Sequence, residues 1–271
     1  MIFMPAARIY LLFASLALCG CASTQATHNP KDPFEPFNRG IYKFNDTLDK
    51  AVVKPVAKGY KAVMPEPARN MVSNFFSNLN DVVVTVNNLL QLKFAQAASD
   101  GSRVVFNSTF GIFGLFNFAE RLEKHNEDFG QTLGYWGMGS GPYIVLPFFG
   151  PSTVRDGAGL YADSQLGMIR RIEHIPARNQ TYLAEKISQR AGLLDQENVL
   201  DEAAAIDRYA FIRDAYLQRR LSLVHDGDPP REKIHDEGDD APDASPVNDG
   251  GQDTQPESEA APVAAPYAIA P

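Results

Sequence analysis

Residues Phe106 to Phe118 read FNSTFGIFGLFNF, and this stretch carries no charged side chain. Its phenylalanines are Phe106, Phe110, Phe113, Phe116 and Phe118. The first four follow one another at steps of four, three and three, the spacing of one helical face. Thirteen helical residues measure about 20 Å, short of the ~30 Å hydrocarbon core of a bilayer. As a single helix, the stretch therefore cannot span a membrane alone.

Two interpretations of this aromatic stretch follow from the residues. An aromatic stripe at helical spacing is most often part of a protein core. The alternative is a segment that enters a membrane partway and turns back. The helix that we expect to begin at Phe94 runs into the stretch, and the breaks fall at Gly111 and Gly114.

The N-terminal sequence predicts a secretion signal and a site of lipid attachment. After Arg8, an apolar run of about ten residues extends to Leu18, a length typical of a signal peptide core and too short for a membrane span. The sequence Leu18-Cys19-Gly20-Cys21 then resembles a bacterial lipobox, in which Cys21 becomes the lipidated residue. An ordinary secretory signal with two incidental cysteines is the alternative. Since Ala22, not aspartate, follows Cys21, the resemblance to sorted lipoproteins implies anchoring in the outer membrane, facing the periplasm.

Charge is distributed unevenly along the chain. The net charge is −8, but residues Asp226 to Glu259 alone contain twelve acidic and two basic residues, so the rest is nearly balanced. No basic patch supports a nucleic-acid partner. The segment 226–271 is poor in large apolar residues, and we expect a disordered acidic tail. That tail provides solubility and spacing, or else it binds a partner.

The pattern predicts an all-α fold, with a signal peptide at 1–20, a flexible tether at 21–31 and one helical domain at 32–225. The clearest helix opens at Pro65-Glu66-Pro67 and continues through Leu90, because proline is tolerated in a first turn. Further helices are expected at Phe37–Leu48, from Phe94 onward, from an N-cap at Ser152 to Gly167, at Ala177–Ala191 and at Glu197–Val224. Pro55 is expected to end the first of them.

One face of the helix that ends at Leu90 carries neutral amides and hydroxyls in place of the usual Lys and Glu. Asn is a poor helix former, so its repetition there invites an explanation. The face either lines a wet passage within the protein or is a plain polar surface. Under the first interpretation, the candidate lining residues are Asn74, Asn78 and Asn87.

No catalytic arrangement is recognisable. The histidines lack metal-ligand spacing, and the titratable cluster between Glu123 and Asp128 is predicted to be a solvated turn. Gly137, Gly139 and Gly141 do not form a nucleotide loop, since no Walker lysine follows and a proline comes next. We therefore predict no enzyme, no cofactor and no metal.

Several motifs together identify a resemblance. They read DPFEPFNR at 32–39, PARN at 67–70, SNF at 73–75, FGQTLG at 129–134, GSGPY at 139–143, LPF at 146–148, GPS at 150–152 and RD at 155–156. In this order, over about residues 30–220, the chain resembles the MlaA/VacJ outer-membrane lipoproteins. Val82 departs from an expected proline, and Leu92 from a common glycine.

The resemblance implies a helical ring seated in the outer membrane, with an amphipathic pore that passes phospholipid from the outer leaflet to a soluble periplasmic carrier. It also implies association with a trimeric porin. The five phenylalanines of the aromatic stretch would seat the ring, and Gly137, Gly139 and Gly141 would form a flexible segment that controls the opening. The competing hypotheses are a structural lipoprotein that only tethers partners at the outer membrane, and a lipid hydrolase.

Overall fold

The computed structural model describes residues 29–197 and 206–230 of the 271-residue chain. The expected signal peptide, Cys21, most of the tether and the tail beyond Pro230 lie outside these residues.

Helices account for most of the described chain. They are α1 Glu35–Leu48, a π-helical segment Asp49–Val53, α2 Lys54–Val63, α3 Glu66–Leu90, α4 Phe94–Thr109, α5 Phe129–Tyr135, α6 Val154–Leu166, a 3-10 helix Met168–Arg171, α7 Ile175–Leu193 and α8 Arg208–Val224. The all-α prediction holds for these elements but misses one hairpin, formed by strands β1 Tyr143–Leu146 and β2 Gly150–Thr153.

The hairpin forms because a short run of residues with high β-propensity is followed by a turn that hydrogen bonds hold in place. Tyr143 pairs with Thr153 and Leu146 with Gly150 in an antiparallel register. The run Tyr-Ile-Val-Leu alternates buried and half-buried side chains, as a strand on a core does. Asn45 of α1 fixes the turn, since its amide donates to the Leu146 carbonyl at 2.9 Å and accepts from the Phe148 N–H at 2.9 Å.

The DPFEPFNR motif joins the first helix to the hairpin and to the last helix. Asn38 is fully buried, and its amide nitrogen donates to Asp32 at 2.8 Å and to the Tyr143 carbonyl at 3.0 Å. Its amide oxygen accepts from the Val145 N–H at 2.9 Å. Asp32 also accepts from the Tyr209 hydroxyl at 2.5 Å. This motif, which is part of the resemblance, therefore links the first helix to the hairpin and to the last helix.

A small aromatic core lies behind this junction. Tyr143, Val145 and Tyr209 are buried together, and the rings of Tyr143 and Tyr209 meet edge to face at 6.3 Å between centroids. Burial raises the pKa of both tyrosine hydroxyls above the ordinary range, so both stay neutral, and that of Tyr209 donates to Asp32.

Three element boundaries differ from the prediction. Pro55 does not end the first helix, because the π-helical turn before it lets helical backbone continue into α2 and places the proline in a first turn. Thr153, not Ser152, caps α6: its hydroxyl accepts from the Asp156 N–H at 3.2 Å. The last described helix begins at Arg208, not Glu197, and its cap is Asp207.

A buried charge cluster holds α5, α6 and α8 together. Arg220 of α8 binds Asp128 at 2.5 and 2.9 Å and Asp156 at 2.9 and 3.1 Å. Although burial alone would raise the pKa of each carboxyl, the facing guanidinium keeps both below 3.8. Since both folded-state values are depressed, this stabilisation is present at neutral pH and is lost as the pH falls through them.

We expect Arg220→Met to lower the free energy of unfolding at pH 7 by about 3–5 kcal/mol, because two largely buried carboxylates lose their partner. The difference in free energy of unfolding between the wild type and Arg220→Met should become smaller towards pH 4, since protonated carboxyls need no cation. Denaturant unfolding in detergent, followed by circular dichroism, measures both. Arg219→Met, at the exposed neighbouring position, is the control. Equal stability of the two variants at pH 7 would show that the cluster does not hold these helices.

Candidate functional site: an apolar exterior and a passage between two helices

The aromatic stretch lies on the surface. Phe106, Phe110, Phe113, Phe116 and Phe118 are between 41% and 75% exposed, and Ile112 is also exposed. The interpretation of the stretch as a core is therefore wrong. A contiguous exposed apolar patch on a folded protein marks a surface that meets lipid or another protein.

The backbone turns these side chains outward. Helix α4 ends at Thr109, and a tight turn follows close to the break that the sequence predicts at Gly111. Ile112 and Phe113 adopt left-handed backbone angles, with φ of 51° and 57°, which side-chain-bearing residues rarely do. Gly114 follows at φ 92°, and a Cβ there would lie 2.6 Å from the Cβ of Asn78. The strain keeps apolar side chains exposed, as strained segments at functional surfaces often do.

The interior beneath this surface is polar. Asn87 of α3 is fully buried and donates to the Asp163 carboxylate of α6 at 2.9 Å. Its amide oxygen accepts from the Thr132 hydroxyl of α5 at 2.9 Å. Gln91 donates to Thr132 at 3.1 Å and to Glu127 at 2.8 Å. A continuous hydrogen-bond network thus joins α3, α5 and α6 where a soluble protein would place aliphatic side chains.

Asp163 is the titratable centre of this network. Burial raises the pKa of its carboxyl to about 6, although hydrogen bonds from the Phe129 N–H and Asn87 act in the opposite direction. Because the folded-state value lies above the ordinary 3.8, this group favours the folded state at low pH, and its contribution is lost as the pH rises from about 4 to about 6.

The interface of α3 with α4 is polar as well. Arg103 of α4 pairs with the buried Asp81 of α3 at 3.4 Å and donates to the Ala119 carbonyl at 2.9 Å. Asn88 donates to Asp100 at 3.1 Å, and Asp100 binds the His125 ring at 2.8 Å. The outer face of α4 keeps the exposed apolar side chains, so these two helices are polar inside and apolar outside.

Two adjoining depressions, both partly open to solvent, lie between α3 and α7, and we call them together the passage. The first depression, the apolar chamber, has a volume of about 450 Å³ and is lined by Val72, Phe75, Phe76, Leu115, Ala177 and Ala184 together with the polar Gln180 and Thr181. The adjacent polar chamber, of about 210 Å³, is lined by Ser73, Ser77, Asn80, Lys124, Glu185 and Ser188, among others. Phe76 borders both chambers. One passage thus offers an apolar and a polar compartment side by side.

The amide face predicted from the sequence divides between this passage and the interior. Asn78 and Asn87 are buried, and Asn78 donates to the Ser108 hydroxyl at 3.0 Å. Asn74 is half-buried and donates to the Leu115 carbonyl at 3.3 Å. The face is thus buried at Asn78 and Asn87 and exposed at Asn70 and Ser73. Neither chamber is lined by Asn74, Asn78 or Asn87. Ser73, Ser77 and Asn80, which belong to the same pattern, are the members that line the polar chamber.

The glycine segment lies on the surface. Gly137 and Gly141 adopt φ of 91° and 67°, and neither Gly137 nor Gly139 has a heavy atom within 4 Å of an added Cβ. Trp136, at its start, is exposed and donates its indole N–H to the Leu90 carbonyl at 3.2 Å. Gly137 and Gly139 thus have open space around them, whereas a Cβ at Gly141 would lie 3.3 Å from Val154, and Arg155 donates hydrogen bonds to the Met138 and Ser140 carbonyls.

The cluster from Glu123 to Asp128 is only in part the solvated turn that the sequence predicts. Glu127 is buried against Gln91 and Lys93, and Asp128 caps α5. Glu123, by contrast, is exposed, so the predicted solvated turn describes only the first part of the cluster. Within the described residues, no group of three acidic, His or Cys side chains is arranged to hold a metal ion. Nor does any described helix combine the length and apolar composition needed to cross a membrane.

The fold and the site define a helical protein with a polar interior, an apolar exterior and an amphipathic passage. The model of the MlaA lipoprotein family matches residues 30–222. The chain is 36% identical over 227 residues to the intermembrane phospholipid transport system lipoprotein MlaA of Escherichia coli strain K12, covering 80% of this chain and 88% of that one. The corresponding Haemophilus influenzae protein is 31% identical over 226 residues, covering 80% and 89%.

A solved structure, from work on the structural basis for maintenance of bacterial outer membrane lipid asymmetry, superposes with a TM-score of 0.63 at 34% identity. The match covers 71% of this chain and 98% of the solved one. The chain belongs to the MlaA lipoprotein family, and the resemblance inferred from its motifs is confirmed.

We expect Gly114→Ala to lower the free energy of unfolding by about 2–4 kcal/mol. The added methyl group would clash with Asn78, and alanine is also strained at a left-handed φ. Gly137→Ala is a matched control, since its φ is nearly the same and it has open space around it. That variant should lose only about 1–2 kcal/mol. Denaturant unfolding in detergent gives both values, and an equal loss would mean that the contact with Asn78 does not constrain the turn.

Proposed function

We propose that this protein is an outer-membrane lipoprotein that removes mislocalised phospholipids from the outer leaflet through an amphipathic passage and transfers them to a periplasmic carrier. The observation that carries the proposal is the passage between α3 and α7, with an apolar and a polar chamber sharing Phe76. A phospholipid has the same division, an apolar chain joined to a polar headgroup.

The exterior supports a seat in the membrane. The five phenylalanines of the aromatic stretch stand out from a strained turn that adjoins the apolar chamber through Leu115. In lipid these side chains would lose contact with water, at about 25 cal/mol per Å² of apolar surface. The lipid on Cys21 would hold the protein at the same membrane, because stable anchoring needs more than one signal.

The passage supports selection by geometry. Acyl chains would occupy the apolar chamber, while Ser73, Ser77 and Asn80 would solvate the headgroup in the polar one. Asn74, Asn78 and Asn87 would support the wall from behind, through the hydrogen bonds that fix α3 to its neighbours. No bond in the lipid needs to break in such a mechanism, and the relatives are named for transport.

The partners follow from the family. A trimeric porin would hold the protein laterally, and a soluble periplasmic carrier would receive the lipid. Helix α8 and the acidic segment beyond it are the place we propose for the carrier, since they follow the membrane-facing elements in the chain. The glycines at 137, 139 and 141 would control the opening of the passage.

The competing function is a structural lipoprotein that tethers partners and moves no lipid. The polar and apolar division of the passage favours transport, because a tether has no use for it. The two functions differ in their response to an obstruction of the passage.

We expect Ala184→Trp to obstruct the apolar chamber and to raise surface phospholipid to the level of a strain that lacks the protein. Cys21→Ala should do the same by removing the anchor. Phospholipid accessible to an added phospholipase on intact cells measures the effect. Leu183→Trp, at a neighbouring exposed position that does not line the chamber, should complement fully.

If Ala184→Trp complements as well as the wild type at equal protein level, the tethering function takes over. Released fatty acid or lysolipid in wild-type cells, lost with a single Ser or His, would instead indicate a hydrolase.

Gly139→Pro tests the proposed control segment. Proline fixes φ near −65° and removes a backbone donor, so the segment should lose its range of conformations. We expect altered surface phospholipid at a normal protein level, while Gly139→Ala, which meets open space, should have a smaller effect. Unchanged lipid asymmetry in the proline variant would exclude Gly139 from control of the opening.

A further inference from the structure

The polar chamber contains one carboxylate that lacks a partner. Glu185 of α7 is only 8% exposed and lines this chamber. Among the described residues, no hydrogen bond or ion pair reaches its carboxylate. Burial raises the pKa of this carboxyl, and Lys186, next in the chain, acts in the opposite direction through its charge. A largely buried carboxylate that accepts no hydrogen bond is costly, which sets Glu185, with only the charge of Lys186 beside it, apart from the hydrogen-bonded acids of this interior.

The other charges at the chamber are already engaged. Lys124 pairs with Asp81 at 2.9 Å and also contacts the Ser77 hydroxyl. Lys186 lies beside Gln189, at 3.4 Å between its ammonium nitrogen and the amide oxygen. The chamber therefore offers a satisfied cation on one wall and an unsatisfied anion on another. A ligand with a positive end would complete it.

The chemistry of the chamber narrows the kind of cation. Ca²⁺ and Mg²⁺ bind six or more oxygen ligands, usually with several carboxylates. Within the described residues no acidic cluster of that kind exists. A primary ammonium needs fewer ligands, since its three N–H groups can be met by one carboxylate and neighbouring hydroxyl or amide oxygens. Ser77, Asn80 and Ser188 line the same chamber and offer such oxygens.

The neighbouring apolar chamber indicates what carries the ammonium. Because Phe76 borders both chambers, a ligand that fills the passage has an apolar part directly beside its polar end. We propose that Glu185 binds the primary ammonium of an amine-bearing phospholipid headgroup, with Lys124 facing the phosphate. This inference rests on the proposed function, and it makes Glu185 the residue that distinguishes amine-bearing from glycerol-bearing headgroups.

The experiment uses full-length lipidated protein purified in detergent and exchanged against equimolar phosphatidylethanolamine and phosphatidylglycerol. Bound lipid is extracted, and its headgroup ratio is measured by mass spectrometry. Ala184→Trp obstructs the passage, so the lipid that this variant retains measures the lipid bound to the exterior. This amount is subtracted from the lipid bound by the other proteins. The variant is Glu185→Gln, which keeps the shape and removes the charge. Glu173→Gln, at an exposed carboxylate before α7, is the matched control.

We expect the wild type and Glu173→Gln to be enriched in the amine-bearing lipid, and Glu185→Gln to lose this enrichment by roughly tenfold, the scale of a charge-assisted hydrogen bond. The total lipid bound should change little. Two results would overturn the headgroup assignment and leave the transport proposal intact. One is wild-type protein whose bound lipid has the same headgroup ratio as the mixture. The other is an enrichment in the amine-bearing lipid that persists in Glu185→Gln. No lipid in the wild-type passage would overturn both.

Discussion

The structure depends on the pairing of polar groups that it buries. Asn87 binds both Asp163 and Thr132, which joins α3, α5 and α6. Arg220 of α8 binds Asp128, which caps α5, and Asp156 of α6. Each such group would be costly without its partner, since desolvation of an amide or a carboxylate is recovered only through hydrogen bonds. The geometry of the bundle is thereby specified by directional contacts, and a displaced helix would leave several buried groups unpaired at once.

An interior of this kind has a consequence for the surface. Amides and carboxylates occupy much of the interface of α3 with its neighbours, and the large apolar side chains at the end of α4 and in the following turn face outward. Water is a poor environment for them, whereas the acyl region of a membrane is a good one. Strain in the turn at Ile112 and Phe113 belongs to the same arrangement, because it holds apolar groups where a relaxed turn would withdraw them.

The passage follows from the same division. On the side of α3 that faces α7, hydroxyls and amides alternate with phenylalanines, so the space between the helices is apolar in one part and polar in the next. In the polar chamber the Ser77 hydroxyl contacts Lys124, whose ammonium is paired with Asp81, and transport by geometry needs no nucleophile. Glu185 lines the polar chamber and accepts no hydrogen bond from a described residue, which is why a ligand is its proposed partner.

The sequence alone predicts several of the helices and the family. The helices at 66–90 and 154–166 follow from proline placement and periodicity, and family membership follows from ordered motifs such as DPFEPFNR. The hairpin at 143–153 was missed, because its strands are too short for alternation to stand out. The capping residue of α6 was misplaced by one position, which periodicity does not resolve.

The sequence by itself determined the helical class, the family and the uncharged aromatic stretch, since all three are encoded in local order along the chain. Only the tertiary structure decided which faces point inward. A period of 3.6 residues shows that a helix has two faces, but the inside of the bundle is chosen by partners distant in the chain. Asn38 with Tyr143, Asn87 with Asp163 and Glu185 with the polar chamber are placed by such long-range contacts.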